Sequence, residues 1–301
     1  MAISICVPTY NRLEFIKKFV DSIRNGIGDY PYEIIVGDGG SNDGTIEYLK
    51  KQKDVTVVEM GGLTGGVKAY NACFKKAKYE YIFWPSDDFL LVPETLIKCC
   101  NLMDKHPEVG MVSPKFIESK YSNFPNVARW NNRIVISKTH VFRTSVLKEI
   151  GLLDDTFKTY YVDADSTLAV LNKGYTTMFT REVGAIHLRV EDETRKGNNV
   201  NSELEEKEEN YYTTKWKDLE NKLIDNPSHI SRFKGYIFGH AQGWLRENSI
   251  MKRMMKKDSK FAIRFFDWLL QKCVVYKAKG YDHLKDFYLA QKLPEDVLKS
   301  K

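Results

Sequence analysis

Two adjacent carboxylates, Asp87 and Asp88, close the segment Trp84-Pro85-Ser86-Asp87-Asp88 after an apolar run beginning at Tyr81. Neighbouring acids on a loop repel each other. A hard divalent cation bridging a diphosphate relieves that repulsion and neutralises a leaving group. The same acids could instead form a turn or cap before Pro93, where Asp is common. A second cluster, Val36-Gly37-Asp38-Gly39-Gly40-Ser41-Asn42-Asp43-Gly44-Thr45, is a glycine-rich turn running into a helix. Its glycines admit a ligand close to the backbone, and Asp38 can accept from a base edge or a ribose hydroxyl; a tight connection capped by Asn42 or Asp43 is the competing use. In Thr64-Gly65-Gly66-Val67-Lys68, a helix begins whose N-terminal turn favours anions, so Lys68 is a candidate diphosphate contact.

The elements that must hold these residues alternate between strand and helix patterns over the first 115 residues. Apolar runs at Ile3–Val7, Glu33–Val36, Val55–Glu59, Tyr81–Trp84 and Met111–Ser113 read as strands. Helical spacing covers Leu13–Ile23, Thr45–Lys51, Val67–Lys78 and a stretch starting near Pro93. This alternation predicts βαβ units, hence a mostly parallel sheet with helices on both faces. Ligands bind outside the carboxyl ends of such strands, where Pro8-Thr9-Tyr10-Asn11, the Asp38 turn and Pro85–Asp88 all fall. Further helices are expected near Thr144–Ile150 and Ala164–Lys173, and from about residue 202 the pattern is helical and charged.

In order and spacing, Ile5-Cys6-Val7-Pro8-Thr9-Tyr10-Asn11-Arg12, then Asp38–Thr45, then Ser86-Asp87-Asp88 resemble the signatures of family-two inverting glycosyltransferases of GT-A fold, over roughly residues 1–190. The resemblance implies a metal-dependent enzyme that takes a sugar from a nucleoside-diphosphate donor, UDP by expectation, and passes it to a glycan or glycolipid hydroxyl. By that resemblance Pro8, Thr9, Tyr10 and Asp38 hold the nucleoside, Asp87 approaches the ribose or sugar, and Asp88 binds Mn2+ or Mg2+. Two departures stand out: Ser86 occupies the first acidic position of the family's D-x-D motif, and Gly39 follows Asp38 where the family has a second acid.

Phe157–Asp165 is similar to the family's Glu-Asp-x-Asp acceptor motif, with Val162 in place of the Glu. This implies Asp163 as general base and Asp165 as a supporting or capping residue on the acceptor side; capping the helix near Ala164 is the other use of these acids. His187, closing Val183–Ile186, lies where relatives place a histidine near the metal or diphosphate. Trp130, His140 and Arg143 lie where relatives build the acceptor pocket, Trp130 as an aromatic platform. A catalytically silent nucleotide-sugar-binding protein would lose one of Asp38, Asp88 and Asp163, and all three are present. A nucleotidyltransferase of related fold needs a Gly-rich, basic loop after the first strand, where this chain has Pro8-Thr9-Tyr10-Asn11.

The 301 residues, 43% hydrophobic and 29% charged, suit one large domain with an appendage, here divided as 1–195 and a helical basic region 196–301. Five cysteines without a C-x-x-C pair suggest neither a disulfide framework nor a zinc site, so a reducing, cytoplasmic setting is expected. The first strand begins at Ile3, leaving no room for a leader, and the apolar stretch Phe261–Tyr276 is interrupted by Arg264, Asp267 and Lys272. Between Arg232 and Lys279 stand twelve lysines and arginines against three acids. Ser259–Tyr276 has the spacing of an amphipathic basic helix. Its apolar face could cover the catalytic domain or a second subunit of a homo-oligomer, and its charge could meet an anionic membrane or a nucleic-acid backbone. A hydroxylated base in DNA is accordingly an alternative acceptor.

Overall fold

The computed structural model describes residues 1–118, 122–126, 129–131, 134–188, 202–225 and 277–299. Its centre is a ten-stranded sheet. Strands β1 (Ile3–Thr9), β2 (Tyr32–Asp38), β3 (Val55–Glu59) and β4 (Tyr81–Trp84) lie side by side and parallel in the order β3-β2-β1-β4. Beyond β4 come β10 (His140–Arg143), β6 (Val109–Glu118) and β11 (Thr176–His187). Of these, β10 is antiparallel to both its neighbours, while β6 and β11 pair in parallel. Short strands β5 (Phe89–Leu91) and β7 (Ser122–Asn126) pair with β11 and β6, and β8 (Arg129–Asn131) with β9 (Ile134–Ile136) forms a separate ribbon. The expected parallel core is present, with β10 as the reversed strand inside it.

Strand alternation decides which face each helix covers. Ile3, Ile5 and Val7 of β1 point to the face covered by α1 (Leu13–Ile27), α2 (Thr45–Lys50) and α4 (Thr95–Lys105), where Ile16, Phe19, Ile23, Leu49, Leu96 and Met103 are buried. Cys6 points to the other face, covered by α3 (Gly66–Lys76), α5 (Thr144–Glu149), α6 (Val162–Asn172) and α7 (Ser202–Asp225) through Phe74, Leu147, Leu168 and Trp216. The apolar stripe of α1 recurs at Ile16, Phe19, Val20, Ile23 and Ile27, the spacing that turns one side of a helix to a core.

The chain beyond residue 195 is not only helical. After α7, β12 (Phe287–Gln291) adds antiparallel to β11 at the sheet edge, before the short α8 (Glu295–Lys299). Gln291 is fully buried and its amide bonds the N–H and C=O of Val135 at 2.8 and 3.0 Å. The sheet therefore draws on both sides of the expected boundary. Five residues give too short an alternation to stand out against a charged, helical background. The boundary segment Arg195–Asn199 and the amphipathic stretch Ser259–Tyr276 lie outside the described residues. Among the described residues no helix is long and apolar enough to cross a membrane. Cys6, Cys73, Cys99 and Cys100 are free and buried, and burial pushes the Cys73 thiol up to about 12, so none is poised as a nucleophile.

Candidate active site

The carboxyl ends of β1, β2 and β4 lie together, and their loops are stitched to one another by side chains. Asn11 adopts the left-handed region at φ 49, which Asn tolerates better than most residues. Its N–H donates to Ser41 Oγ at 2.8 Å, and the Asn42 N–H donates to Asn11 Oδ1 at 2.8 Å. The Leu13 N–H donates to Asp43 Oδ2 at 3.0 Å, so α1 takes its cap from the second loop. Burial raises the Asp43 pKa, but the hydrogen bonds from Thr45 and Leu13 outweigh it and hold the carboxyl below its ordinary range.

These loops border a cavity of about 520 Å³. Its walls are the ends of β1 (Pro8, Thr9, Tyr10) and β2 (Gly37, Gly39), the glycine-rich entry to α3, Ser86 and Asp87 after β4, and Lys158, Thr159 and Val162 before and within α6. Leu204 of α7 completes it. Gly39 sits at a narrow place: a Cβ there would stand 3.2 Å from Leu63 and 3.3 Å from Tyr10. Tyr10 and Leu63 thus flank a slot over Gly39 where an added Cβ would push one of them aside by a few tenths of an ångström, and Leu63 is unusually exposed for a large apolar residue, at 57%. The Tyr10 ring and the exposed Leu63 side chain offer an aromatic and an apolar surface against which a planar ring can pack. The first turn of α3 also opens into the cavity through Gly66 and Val67, with Gly65 at φ 93 making the turn, so its free N–H groups suit an anion.

Asp38 is placed below this surface. It is fully buried, and its carboxylate accepts the N–H groups of Gly40 and Ser41 and the Ser41 hydroxyl at 2.8, 2.8 and 2.7 Å. In this structure Asp38 shapes its own turn, and the neighbouring Gly37 and Gly39 form the wall.

Of the acidic pair, Asp87 lines the cavity and Asp88 is buried beside it. Asp87 accepts from Thr9 Oγ1 at 2.8 Å and from Arg12 Nη1 at 2.6 Å. Asp88, fully buried, accepts from Ser86 Oγ at 2.6 Å, and His187 Nε2 lies 3.3 Å from its Oδ1. The Ser86 departure from an acid therefore has a use: the hydroxyl fixes Asp88. His187 reaches this point because the Leu188 N–H donates to the Asp88 carbonyl at 2.8 Å and because its ring stacks on Phe89 at 4.5 Å. Residues about a hundred positions apart in sequence thus meet. Arg12, whose Nη2 is also 3.7 Å from Asp88, is the cation paired with both acids. It closes the first motif, but sequence reasoning gave it no role; the signal available was one basic residue in an otherwise acidic constellation.

Among the described residues no group of three or more His, Cys, Asp and Glu side chains converges as a metal cage. Asp88 and His187 nevertheless offer one oxygen and one nitrogen donor side by side, and substrate phosphates commonly supply the remaining ligands of hard cations. The donor set fits a divalent cation shared with a diphosphate.

Asp163 stands in the first turn of α6, half-buried, next to cavity-lining Val162. Its Oδ1 accepts the Ala164 N–H at 3.0 Å. Asp165 differs from its expected acceptor-side place: it is buried against Lys215 Nζ at 2.7 Å and Trp216 Nε1 at 2.8 Å, where burial, ahead of those contacts, raises its pKa. Two residues apart on one helix, these two acids present roughly opposite faces. Lys68 is exposed and does not line the cavity; Lys158 is the lysine that does.

The expected acceptor residues His140 and Arg143 are structural. His140 is fully buried, bonded to Ser113 Oγ through Nδ1 at 2.9 Å, and burial lowers its pKa to about 3. Arg143 Nη2 donates to the carbonyls of Met103, His106 and Val109, closing the end of α4. Trp130 lies on β8 in register with Val135, and its side chain is outside the described part of the structure.

The sequence profile described as Glycosyl transferase family 2 matches residues 4–168, more than half of the chain. The chain belongs to this family. The matched span holds β1, β2, β4 and the start of α6, which carry the cavity walls. The chain is 28% identical over 166 residues to poly(ribitol-phosphate) beta-N-acetylglucosaminyltransferase TarS of Staphylococcus aureus, a match covering 50% of this chain and 29% of that protein. It is 30% identical over 189 residues to a poly(ribitol-phosphate) beta-glucosyltransferase of Bacillus spizizenii, covering 57% of this chain and 29% of that one. The match thus spans under a third of the length of these relatives.

Among solved structures, S. aureus TarS 1–349 in complex with UDP-GlcNAc superposes with a TM-score of 0.60 at 19% identity, over 91% of this chain and 82% of that one. The mannosyltransferase PcManGT from Pyrobaculum calidifontis, in complex with GDP-Man and Mn2+, gives 0.52 at 18% identity, over 92% and 76%. At these identities the likeness shows the GT-A fold.

Proposed function

We propose that this family 2 chain is an inverting glycosyltransferase that uses a UDP-linked sugar and a divalent cation to glycosylate a hydroxyl of a glycan or glycolipid. The observation that carries the reading is the meeting of Asp88 and His187 at 3.3 Å directly beside Ser86 and Asp87, which line the same cavity as Tyr10 and Leu63. A nucleoside in the slot places its diphosphate along the N-terminus of α3 and toward the acidic pair. The chemistry that a divalent cation supplies at Asp88 and His187 is charge neutralisation on the departing diphosphate. Arg12 orients Asp87 and balances the buried acids. Asp163, next to cavity-lining Val162, removes the proton of the acceptor hydroxyl, which attacks the anomeric carbon from the face away from the diphosphate and inverts it.

The UDP assignment is supported by the TarS complex with UDP-GlcNAc, and Mn2+ by the PcManGT complex. Two relatives are named for poly(ribitol-phosphate), an anionic, hydroxyl-rich polymer, and the basic excess between Arg232 and Lys279 matches an acceptor of that charge. The test is a screen of UDP-, GDP- and dTDP-sugars with Mn2+, reading thermal shift and donor hydrolysis, followed by transfer to polyol-phosphate, neutral glycan and hydroxymethylated DNA acceptors. Stabilisation and hydrolysis specific to a UDP-sugar support the donor reading. No response to any nucleotide sugar overturns it, and transfer to DNA alone replaces the acceptor class.

A further inference from the structure

Helix α7 lies past the end of the family match at residue 168, yet it grips the chain on both sides of Asp163. Glu208 is 3% exposed, and its carboxylate accepts three successive backbone N–H groups: Lys158 at 2.6 Å, Thr159 at 3.3 Å and Tyr160 at 2.7 Å. Three consecutive N–H groups converging on one carboxylate form an anion nest. The segment it holds is a working wall, since Lys158 and Thr159 line the cavity. One residue later Tyr161, in the left-handed region at φ 59, turns the chain directly into α6.

On the same face of α7, one turn and two turns further on, the grip continues. Tyr212 stacks on Tyr161 with ring centroids 5.2 Å apart, and Lys215 with Trp216 holds Asp165 at 2.7 and 2.8 Å. Glu208, Tyr212 and Lys215 follow the i, i+4, i+7 spacing of a single helix face. The chain is therefore clamped at 158–160, at 161 and at 165, and Asp163 is the half-buried residue between the clamps.

We propose that Glu208 is a positioning residue for the transfer step: its carboxylate sets the loop 158–160, and through it the placement of Asp163 against the acceptor. This rests on the reading of Asp163 as the base. The donor slot at Tyr10, Gly39 and Leu63 is built by other loops, so the effect falls on turnover and spares nucleotide affinity.

The test compares the full-length wild type with Glu208→Gln, which keeps the shape but turns an amide NH2 toward the nest, and with the milder Trp216→Phe. Three quantities are read: hydrogen exchange at the amides of 158–160, UDP affinity in Mn2+ by calorimetry, and kcat and KM for transfer with its pH profile. For Glu208→Gln the account expects faster exchange at those amides, UDP affinity like that of the wild type, an unmoved acid limb, and kcat lower by about 10²-fold, the scale of about 1 Å of misplacement. Trp216→Phe is expected to lower kcat several-fold, again with UDP affinity unchanged; if Glu208→Gln does not fold, this variant decides. A wild-type kcat in a folded Glu208→Gln, or in Trp216→Phe where only that variant folds, overturns the proposal. So does a UDP affinity that falls in step with kcat. Asp163→Asn run alongside separates the two claims: if it transfers normally, the base reading fails; if it is inactive while Glu208→Gln is normal, only the positioning role fails.

Discussion

The two sides of the cavity that the proposed function assigns to donor and acceptor are held in different ways. On the donor side the loops brace one another: Asn11 with Ser41 and Asn42, Asp43 with Leu13, and Thr9 with Asp87. All of these lie within the first 90 residues. The acceptor wall is held to a separate helix, α7. Lys158–Tyr160 hang on Glu208, and Asp165 hangs on Lys215 and Trp216, about fifty positions away. On the proposed reading, the grip on the nucleotide is built into the motifs that mark the family, while the acceptor wall depends on a helix beyond them. An enzyme made this way can change its acceptor by altering its C-terminal region and leave its donor site intact.

The sharpest break between the two sides comes from Asp163→Asn, which keeps size and loses proton acceptance. Transfer is expected to fall by roughly 10²–10⁴-fold, the range for general base catalysis, with UDP affinity unchanged by calorimetry. A parallel loss of affinity would join the two sides. Next in size is Arg12→Gln. Removing the guanidinium leaves Asp87 and Asp88 buried without that cation, a loss of about 3 kcal/mol by analogy with broken buried pairs. Thermal melts should show the drop, and Mn2+ should raise the Tm of this variant more than that of the wild type. Equal Mn2+ shifts would separate Arg12 from the cation site.

Gly39→Ala acts on the donor side alone. Its Cβ would narrow the gap between Tyr10 and Leu63, so UDP affinity should fall about tenfold, or ~1.4 kcal/mol, with Tm unchanged. An unchanged dissociation constant would move the nucleoside out of the slot.

The smallest effect concerns the docking of α7. Burial raises the Asp154 pKa, but hydrogen bonds led by Lys215 outweigh it and bring it down to about 2. A carboxyl depressed on folding stabilises the folded state above its unfolded pKa, near 4, and that contribution fades as pH falls toward the folded value. The Tm gap between wild type and Asp154→Asn should therefore be full at pH 6 and shrink from about pH 4 downward. A gap independent of pH would exclude the ion pair as its source.

How much of this could be read beforehand depended on the range of the interactions. β3 and β4 run over the residues that apolar runs marked, and the three strand-end motifs do meet, because βαβ chain direction alone brings carboxyl ends together. His187 was legible as a residue closing an apolar strand, and its approach to Asp88 follows from β11 pairing with β5 and β6. Lys68 misled because helical phase decides which residue of a first turn faces inward, and Gly66, Val67, Ala69 and Tyr70 take that face. His140 and Arg143 misled because buried polar residues satisfied by backbone or hydroxyl partners look, in sequence, like site residues. Asp38 reads as a nucleoside contact by resemblance, whereas its carboxylate turns inward to Gly40 and Ser41, a choice that the glycine-rich spacing does not reveal. The Glu208 nest had no sequence signal, since Glu is ordinary in a charged helix and its partners are backbone groups fifty residues earlier.

The most direct measurement of the account is calorimetric titration of UDP into wild type, Asp88→Asn and His187→Ala, each with and without Mn2+. The account predicts that Mn2+ tightens UDP binding in the wild type, and that this gain is lost in Asp88→Asn and reduced in His187→Ala while metal-free affinity stays the same in all three. An undiminished Mn2+ gain in Asp88→Asn would contradict it, because the cation would then be held somewhere other than the meeting point of Asp88 and His187.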